Sequence, residues 1–339
     1  MGLKVIIPVA GKGTRLRPHT LLIPKTLINV ADRKIIDYIM DITKDVEVEE
    51  YIFIVGYLGE LIEEHIKRAY PRVNKKFILQ ENPKGLAHAI SLAKNQLLPS
   101  DQVLIVLGDL ILFADIRKVI EETPKGEHKI GVINVEDPHR YGVVVLEKDG
   151  RYIKETVEKP SKPISNLAIS GIYYFSKAEP LISAIDYIIE NNIKTKNEYQ
   201  LTDALMEMIK RGERIGVFET SEVYDCGSKE KLIEANNKLL KKFHSNGISG
   251  INVKNSVIIP PVYISPNSLV EDSVIGPFVS IHEGALVKNS IVKESIIEER
   301  AKVEGMIIEK SLIGQESIVE ESFRELNIGP HSEYKKKGF

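Results

Sequence analysis

The chain has 339 residues, of which 46 are Lys or Arg and 48 are Asp or Glu, so its formal net charge at pH 7 is -2. This balance excludes the broad single-sign charge with which many proteins attract nucleic acid or anionic membranes. The length suffices for two domains. The single cysteine, Cys226, excludes an intrachain disulfide. With no secretory segment and no apolar run near 18 residues, we expect a cytoplasmic protein.

The first strand expected from the sequence is the hydrophobic run Leu3–Val9, and a glycine loop follows it directly. Gly11 and Gly13 allow a tight turn whose backbone amides can approach a ligand closely. The loop is not a dinucleotide-binding fingerprint, because Leu16 stands where the third glycine is needed. It is not a P-loop either, because no Gly-Lys-hydroxyl triplet closes it. A nicotinamide-dependent dehydrogenase is therefore excluded.

Three cations accompany this loop. Arg15 and Arg17 lie within it, and Lys25 follows in the stretch IPKTL. Guanidinium and ammonium groups beside exposed amides suit a polyanion such as a triphosphate, although cations also solvate ordinary surface turns. The loop therefore predicts a phosphate site.

Strands and helices alternate up to about residue 125. Buried strands are predicted at 51–55, 76–79 and 102–107, with helical spacing at 34–44, 58–69 and 85–97. The alternation predicts the α/β class, with a Rossmann-like, mixed and mostly parallel sheet. Ligands gather outside the carboxyl ends of such strands, which here means after Val9, Leu79 and Leu107.

One carboxylate stands at such a strand end. Asp109 follows the third of these strands in the stretch VLGDL. A carboxylate at this place is desolvated and repelled by phosphate unless a cation lies beside it. A metal ion facing bound phosphates is therefore its natural partner.

The middle of the chain is less regular. From about 129 to 225 irregular strands surround helices predicted at 177–190 and 201–211, which indicates an elaboration of the same domain. A last amphipathic helix is expected to begin after Ser228, a candidate N-cap, and to end at Phe243.

The pattern changes beyond Gly250, where aliphatic residues recur every five or six positions. Tripeptides that begin at Ser256, Ser273 and Ser290 recur 17 residues apart. Such a degenerate hexapeptide repeat predicts a β-helix of about four coils. The apolar residues expected to face outward, where another chain could cover them, are Tyr263, Leu269, Phe278, Leu286 and Leu312.

The stretch PVAGKGTRLRPHT, with PKTL after it, resembles the signature of the sugar-1-phosphate nucleotidyltransferases, and in particular that of glucose-1-phosphate thymidylyl- and uridylyltransferases. Thr26 departs from the family, whose members often have proline there. In some of these enzymes a left-handed β-helix follows. The resemblance implies a nucleotidyltransferase domain at 1–243, a left-handed β-helix at 244–323 and a C-terminal tail at 324–339.

The resemblance also assigns residues to the reacting phosphates. Arg15 and Lys25 would act on the triphosphate, and Asp109 and Asp225 would bind Mg²⁺, so these four are the predicted catalytic residues. Gln80 and Gly85 would recognise the base. The full set of predicted nucleotide-binding residues is Ala10, Gly11, Gly13, Thr14, Gln80 and Gly85.

A second set would hold the sugar phosphate. By resemblance, Glu158 accepts hydrogen bonds from sugar hydroxyls and Lys159 holds the phosphate. The predicted sugar-phosphate-binding residues are Tyr141, Gly142, Glu158, Lys159, Ile169 and Gly171. Two other residues receive no role in binding: His88 is interpreted as a surface or packing histidine, and Cys226 as a small buried residue.

The implied reaction joins dTTP or UTP to glucose 1-phosphate and releases pyrophosphate, by in-line attack of the sugar phosphate on the α-phosphorus. Alternatives stay open: a regulatory paralogue that binds a sugar nucleotide without turnover, or GTP used with mannose 1-phosphate. A third is an acyltransferase in the β-helix, whose coils offer His282 as their only histidine. We also expect a homo-oligomer formed through the β-helix.

Overall fold

The computed structural model of the protein describes residues 2–245 and 252–321. The chain divides into two compact units, Met1–Ala235 and Asn236–Phe339. The sequence places a domain boundary at 243/244 instead, and this division remains a prediction, as does the tail at 324–339, which lies outside the described residues. No helix among the described residues is long and apolar enough to cross a membrane.

The first unit contains the strands and helices of an α/β domain. Its strands are β1 (Leu3–Val9), β2 (Asn29–Val30), β3 (Arg33–Lys34), β4 (Glu50–Val55), β5 (Lys75–Leu79), β6 (Gln102–Val106), β7 (Leu110–Phe113), β8 (His128–Asn134), β9 (Gly142–Leu146), β10 (Ile153–Glu158), β11 (Leu167–Phe175), β12 (Ile215–Glu219) and β13 (Glu222–Asp225). Its helices are α1 (Ile35–Asp41), α2 (Gly59–Ala69), α3 (Leu86–Ser91), α4 (Ile116–Glu121), α5 (Ala178–Glu190) and α6 (Leu201–Lys210). Helix α7 (Lys229–Phe243) contains the boundary between the units.

Nine of these strands form one mixed sheet, in the order β10-β9-β11-β6-β1-β4-β5, with β8 paired to β11 and β12. The half made by β6, β1, β4 and β5 is parallel, as the βαβ alternation predicts. Strand β11 pairs antiparallel with β6, β8 and β9, so the later elements extend the same sheet. The predicted α/β class is confirmed.

Most predicted elements agree with the structure, but one strand lies in another environment than expected. The sequence predicts burial on both faces for the run at 76–79, whereas β5 is the edge strand of the sheet and Leu79 is 58% exposed. Its apolar composition resembles that of a central strand. The position at the edge depends on the order of strands in the sheet, which local composition does not encode.

The second unit is a stack of short strands in three parallel sheets, typical of a left-handed β-helix. The first sheet contains β14 (Asn252–Lys254), β17 (Leu269–Glu271), β20 (Leu286–Lys288), β23 (Lys302–Glu304) and β26 (Ile318–Glu320). The second contains β15 (Val257–Ile258), β18 (Val274–Ile275), β21 (Ile291–Lys293) and β24 (Ile307–Glu309). The third contains β16 (Val262–Ile264), β19 (Val279–Ile281), β22 (Ile296–Ile297) and β25 (Leu312–Ile313).

Stacked aliphatic rows fill the interior of this repeat unit. Val270, Val287 and Val303 are fully buried and lie in register in the first sheet. The prediction that Leu312 faces outward is wrong, because its side chain is buried, at 8% exposure. Three exposed apolar side chains, those of Val257, Ile291 and Ile307, lie in the second sheet, where Ile291 and Ile307 stand in register, and Ile318 is exposed in the first sheet.

The repeated serines have a structural role. The backbone N–H of Ser273 donates to Oγ of Ser256 at 3.0 Å, and that of Ser290 donates to Oγ of Ser273 at 3.1 Å, 17 residues apart in each case. Each of these hydroxyls donates in turn to a carbonyl two residues before it. The serines therefore tie successive coils together.

Candidate active site

The glycine loop after β1 is held by contacts within its own segment. Gly13 has a φ of 59°, in the region that favours glycine, and its carbonyl accepts a hydrogen bond of 2.8 Å from Oγ1 of Thr20. A Cβ at Gly13 would lie 3.0 Å from Thr20 and 3.2 Å from Lys25. Leu16 is buried while Arg15 is exposed. The loop is thus anchored by Leu16 and presents a guanidinium to solvent.

Two aspartates come together next to the end of β6. Asp109 follows β6, and Asp225 ends β13, which pairs with β7 so that Asp225 lies opposite Leu110. The N–H of Cys226 donates to the carbonyl of Asp109 at 3.3 Å. The Asp225 carboxylate accepts a hydrogen bond of 2.7 Å from the N–H of Gly227. Residues more than 100 positions apart therefore form one acidic edge.

Lys25 lies against this acidic edge. Its Nζ is 3.4 Å from both the carbonyl oxygen and Oδ2 of Asp109, and the residue is only 9% exposed. Its assignment to the reacting phosphates remains a prediction, and the contact observed is with Asp109. Lys25 is therefore a largely desolvated cation with a fixed partner.

Gly227 makes room for Arg15. A Cβ at position 227 would lie 2.8 Å from Nη2 of Arg15 and 2.8 Å from Oδ1 of Asp225. The absence of a side chain thus lets the guanidinium approach the backbone after β13. This glycine is the last residue of the D-x-G pattern at 225–227, and the close approach of Arg15 and Asp225 explains why the pattern has a glycine there.

A hairpin brings the predicted sugar-phosphate residues together. Strands β9 and β10 are antiparallel, with Gly142 opposite Glu158. The N–H of Lys159 donates to the carbonyl of Tyr141 at 3.0 Å, and Nζ of Lys159 lies 3.3 Å from Oε1 of Glu158. Lys159 has a φ of 45°, a strained conformation for a residue with a side chain. Such strain is typical of functional sites.

Gly142 lies where three neighbours converge. A Cβ there would lie 2.9 Å from Thr202, 3.0 Å from Oε2 of Glu158 and 3.4 Å from Ile169. The hydroxyl of Thr202 donates to the same Glu158 oxygen at 3.3 Å. Any side chain at position 142 would therefore displace the Glu158 carboxylate that Thr202 orients.

These segments enclose a cavity of about 560 Å³. It holds cationic and anionic side chains together, as a site for two phosphorylated ligands requires. Of the predicted residues, those that line it are Arg15, Asp109, Tyr141, Gly142, Glu158, Lys159, Ile169 and Asp225. The predicted residues outside its lining are Ala10, Gly11, Gly13, Thr14, Lys25, Gln80, Gly85 and Gly171.

Sequence reasoning missed several lining residues: Leu86, Leu107, Leu110, Arg140, Tyr173, Gln200, Leu201 and Thr202. Arg140 directly precedes the predicted pair Tyr141 and Gly142, so its positive charge next to that pair could have indicated it. The segment 200–202 carries neither a glycine turn nor a charge cluster and is typical of the start of a helix. Burial, followed by the charges of Glu158 and Asp109, raises the pKa of Tyr173, so its hydroxyl stays protonated.

The predicted base-recognition segment packs on the start of α6. Gly85 has a φ of 111°, and a Cβ there would lie 2.5 Å from the carbonyl oxygen of Tyr199. That carbonyl accepts from the N–H of Ala87 at 3.0 Å, and the N–H of Tyr199 donates to the carbonyl of Lys84 at 2.8 Å. Gln80 is buried, and its N–H donates to the carbonyl of Val55 at 2.7 Å. Glycine is therefore required at 85.

The donor set at the acidic edge fits a hard divalent cation. Asp109 and Asp225 supply two carboxylates to one cavity, and the described residues contain no group of three or more His, Cys, Asp and Glu side chains that could hold a metal. Mg²⁺ commonly takes one or two carboxylates and completes its shell with phosphate oxygens and water. Cys226 does not join this set: it is fully buried, and burial raises the pKa of its thiol to about 12.

The glycine loop, the paired aspartates and the mixed-charge cavity define an α/β domain suited to phosphate chemistry. The profile of the nucleotidyl transferase family matches residues 4–242, and that of a GlmU-like C-terminal hexapeptide region matches residues 236–306. The chain therefore belongs to the nucleotidyl transferase family. The resemblance noted in the sequence is confirmed.

Two curated relatives match most of the chain. The bifunctional protein GlmU of Methanocaldococcus jannaschii is 32% identical over 78% of this chain and 60% of its own length. The UTP–glucose-1-phosphate uridylyltransferase AglF of Haloferax volcanii is 30% identical over 63% of this chain and 86% of its own length. The chain spans about three fifths of the GlmU relatives that it matches.

A solved structure of similar sequence also shares the fold. A putative glucose-1-phosphate thymidylyltransferase from Bacillus anthracis, in complex with a sucrose, superposes with a TM-score of 0.59 at 28% identity. The match covers 69% of this chain and 94% of that one.

Proposed function

We propose that this chain transfers the nucleotidyl group of dTTP or UTP to a hexose 1-phosphate, with glucose 1-phosphate the first candidate, and releases pyrophosphate. The observation that carries the proposal is the single cavity that Arg15, Asp109 and Asp225 share with Glu158 and Lys159. A cation for a polyphosphate and a carboxylate–ammonium pair for a sugar phosphate thus face one space. Relatives named for UTP or thymidylyl transfer to glucose 1-phosphate support the choice of substrates.

In the proposed reaction a phosphate oxygen of the sugar phosphate forms a bond to the α-phosphorus. The bond from that phosphorus to the β-bridging oxygen breaks, and pyrophosphate leaves with the electron pair. Arg15 and Lys25 neutralise charge on the triphosphate, and Lys159 holds the sugar phosphate. Such positioning and charge stabilisation supply most of the rate in phosphoryl transfer.

Glu158 orients the sugar. Its carboxylate is already held by Thr202, and it lines the same cavity as Gly142. We propose that Asp109 and Asp225 hold Mg²⁺, which would supply charge neutralisation at the α- and β-phosphates when bound. The Lys25–Asp109 ion pair keeps one of these carboxylates oriented.

The experiment is an assay of pyrophosphate release from five nucleoside triphosphates, each combined with glucose, galactose, mannose or N-acetylglucosamine 1-phosphate. We expect magnesium-dependent release with UTP or dTTP. Release only with GTP or ATP would contradict the base assignment. Tight binding of a sugar nucleotide without any turnover would favour the regulatory paralogue.

We also propose that copies of the chain associate through the second sheet of the repeat unit. Val257, Val274, Ile291 and Ile307 stand in register as an outward row, and three of them are 46–81% exposed. A continuous apolar row on a regular sheet is a surface that another copy of the same chain can cover symmetrically.

A further inference from the structure

Gln80 has a side-chain partner that the sequence did not reveal. Its Nε2 lies 3.0 Å from Nδ1 of His88, in the first turn of α3. Gln80 is buried, at 6% exposure, and its backbone is fixed to Val55. His88, interpreted from the sequence as a packing or surface residue, therefore contacts the residue assigned to the base.

The orientation of the Gln80 amide depends on which ring nitrogen of His88 carries the proton. A glutamine amide has two N–H donors on nitrogen and only acceptors on oxygen, whereas a neutral imidazole has one acceptor nitrogen. When Nε2 of Gln80 donates to Nδ1 of His88, the carbonyl oxygen of Gln80 is left facing the other way. Burial, followed by the positive charge of Lys84, lowers the pKa of His88, which favours the neutral ring that can accept.

We propose that His88, with its proton on Nε2 and Nδ1 free to accept, is a positioning residue that holds the Gln80 amide with its carbonyl oxygen toward the base, so that the site selects uracil or thymine over cytosine. This inference rests on the proposed function and deepens it. Uracil and thymine present an N3–H donor beside a carbonyl oxygen. A glutamine in the stated orientation accepts from that N–H and donates its second N–H to the carbonyl.

Cytosine presents the opposite pattern. Its N3 is an acceptor and its neighbouring amino group is a donor, so it pairs well only with a glutamine amide turned by 180°. In the proposed tautomer, that turn would bring the Gln80 carbonyl oxygen against Nδ1 of His88, which has no proton to donate. Discrimination therefore depends on a residue that need not touch the nucleotide.

The test compares His88→Leu, which removes the acceptor, with His88→Asp, whose carboxylate can only accept. Ser91→Ala, which removes a hydroxyl bonded to the His88 carbonyl on the same helix, is the matched control. The readout is kcat/KM for UTP and for CTP with glucose 1-phosphate. We expect His88→Leu to reduce the preference for UTP about tenfold, mainly through KM, as the loss of one oriented hydrogen bond implies.

His88→Asp and Ser91→Ala should keep the preference of the natural protein. An unchanged UTP/CTP ratio in folded His88→Leu would overturn the inference, and His88→Met replaces that variant if it does not fold. Absence of turnover by the natural protein would instead count against the proposed function. Calorimetric binding of UTP and CTP alone then decides the inference, and equal discrimination by the natural protein and His88→Leu would overturn it.

Discussion

In the first unit, the polar side chains that line the cavity come from positions as far apart as Arg15 and Asp225. In the repeat unit, by contrast, hydrogen-bonded serines recur 16 or 17 residues apart and join neighbouring coils. The charged pocket requires residues from distant parts of the chain to be ordered together. The stack of coils needs only contacts between neighbouring repeats. The chemistry and the stacking are therefore separable, and substitutions in one unit should leave the property of the other unchanged.

The largest effect is expected at the acidic edge. Asp109→Asn and Asp225→Asn should each lower kcat by about 10²–10³, the scale of about 2.7–4 kcal/mol for one preorganised charge-stabilising group. The matched control in the repeat unit is Asp272→Asn, whose carboxylate accepts from Asn255 on the surface. Steady-state pyrophosphate release measures both. Near-normal activity of Asp109→Asn with magnesium would show that the metal assignment is wrong.

A smaller effect is expected where a glycine makes room for a cation. The methyl group of Gly227→Ala would lie 2.8 Å from both the Arg15 guanidinium and Oδ1 of Asp225, which are the ends of side chains and can move. The fold should persist while kcat/KM for the nucleotide falls about tenfold, or about 1.4 kcal/mol. Gly216→Ala is the control, because its nearest neighbour atom would lie at 3.4 Å. Equal activity of the two variants would argue against a role of Arg15 at the triphosphate.

The interior of the repeat unit should affect stability without affecting chemistry. Ile297 is fully buried in the third sheet, and Ile297→Val should lower the free energy of unfolding by about 0.5–1.5 kcal/mol. Urea unfolding measures this loss, and kcat/KM at 25 °C should not change. A drop in kcat/KM in the folded variant would mean that the two units are coupled.

The smallest effect on chemistry is expected for the outward row. Ile307 is 81% exposed, and Ile307→Glu should reduce the number of subunits seen by light scattering, because it places a charge in the proposed contact between copies. Lys310→Glu, on an exposed turn of the same coil, is the control. Activity per chain should be preserved in both. An unchanged subunit number in Ile307→Glu would contradict self-association through this sheet.

Local sequence signals predicted the elements that local forces decide. Period and β-branched composition indicated the strands at 50–55 and 102–106, and the repeat indicated the three parallel sheets. They did not show that β5 lies at an edge, or that Leu312 is buried. Both properties depend on which other elements pack against the strand, and the strand's own sequence does not determine that.

The candidate site divides along the same line. The sequence indicated the loop at 10–17, Asp109 and the hairpin of Glu158 with Lys159, because glycines and charged residues are unusual next to buried strands. Gln200 to Thr202 and His88 gave no such signal, since these residue types are common at the start or on the face of an ordinary helix. Their places at the cavity and beside Gln80 arise only from tertiary contacts.

The proposed function requires that one cavity bring a nucleotide and a sugar phosphate together for direct transfer. A direct test uses UTP labelled at the α-phosphorus, glucose 1-phosphate and magnesium, with product analysis by chromatography. We expect the label to pass into a sugar nucleotide, with unlabelled pyrophosphate released in equal amount, and Lys159→Ala to reduce this transfer. Label recovered only in UMP or UTP, or in a sugar nucleotide at an unchanged rate in Lys159→Ala, would contradict direct transfer in this cavity.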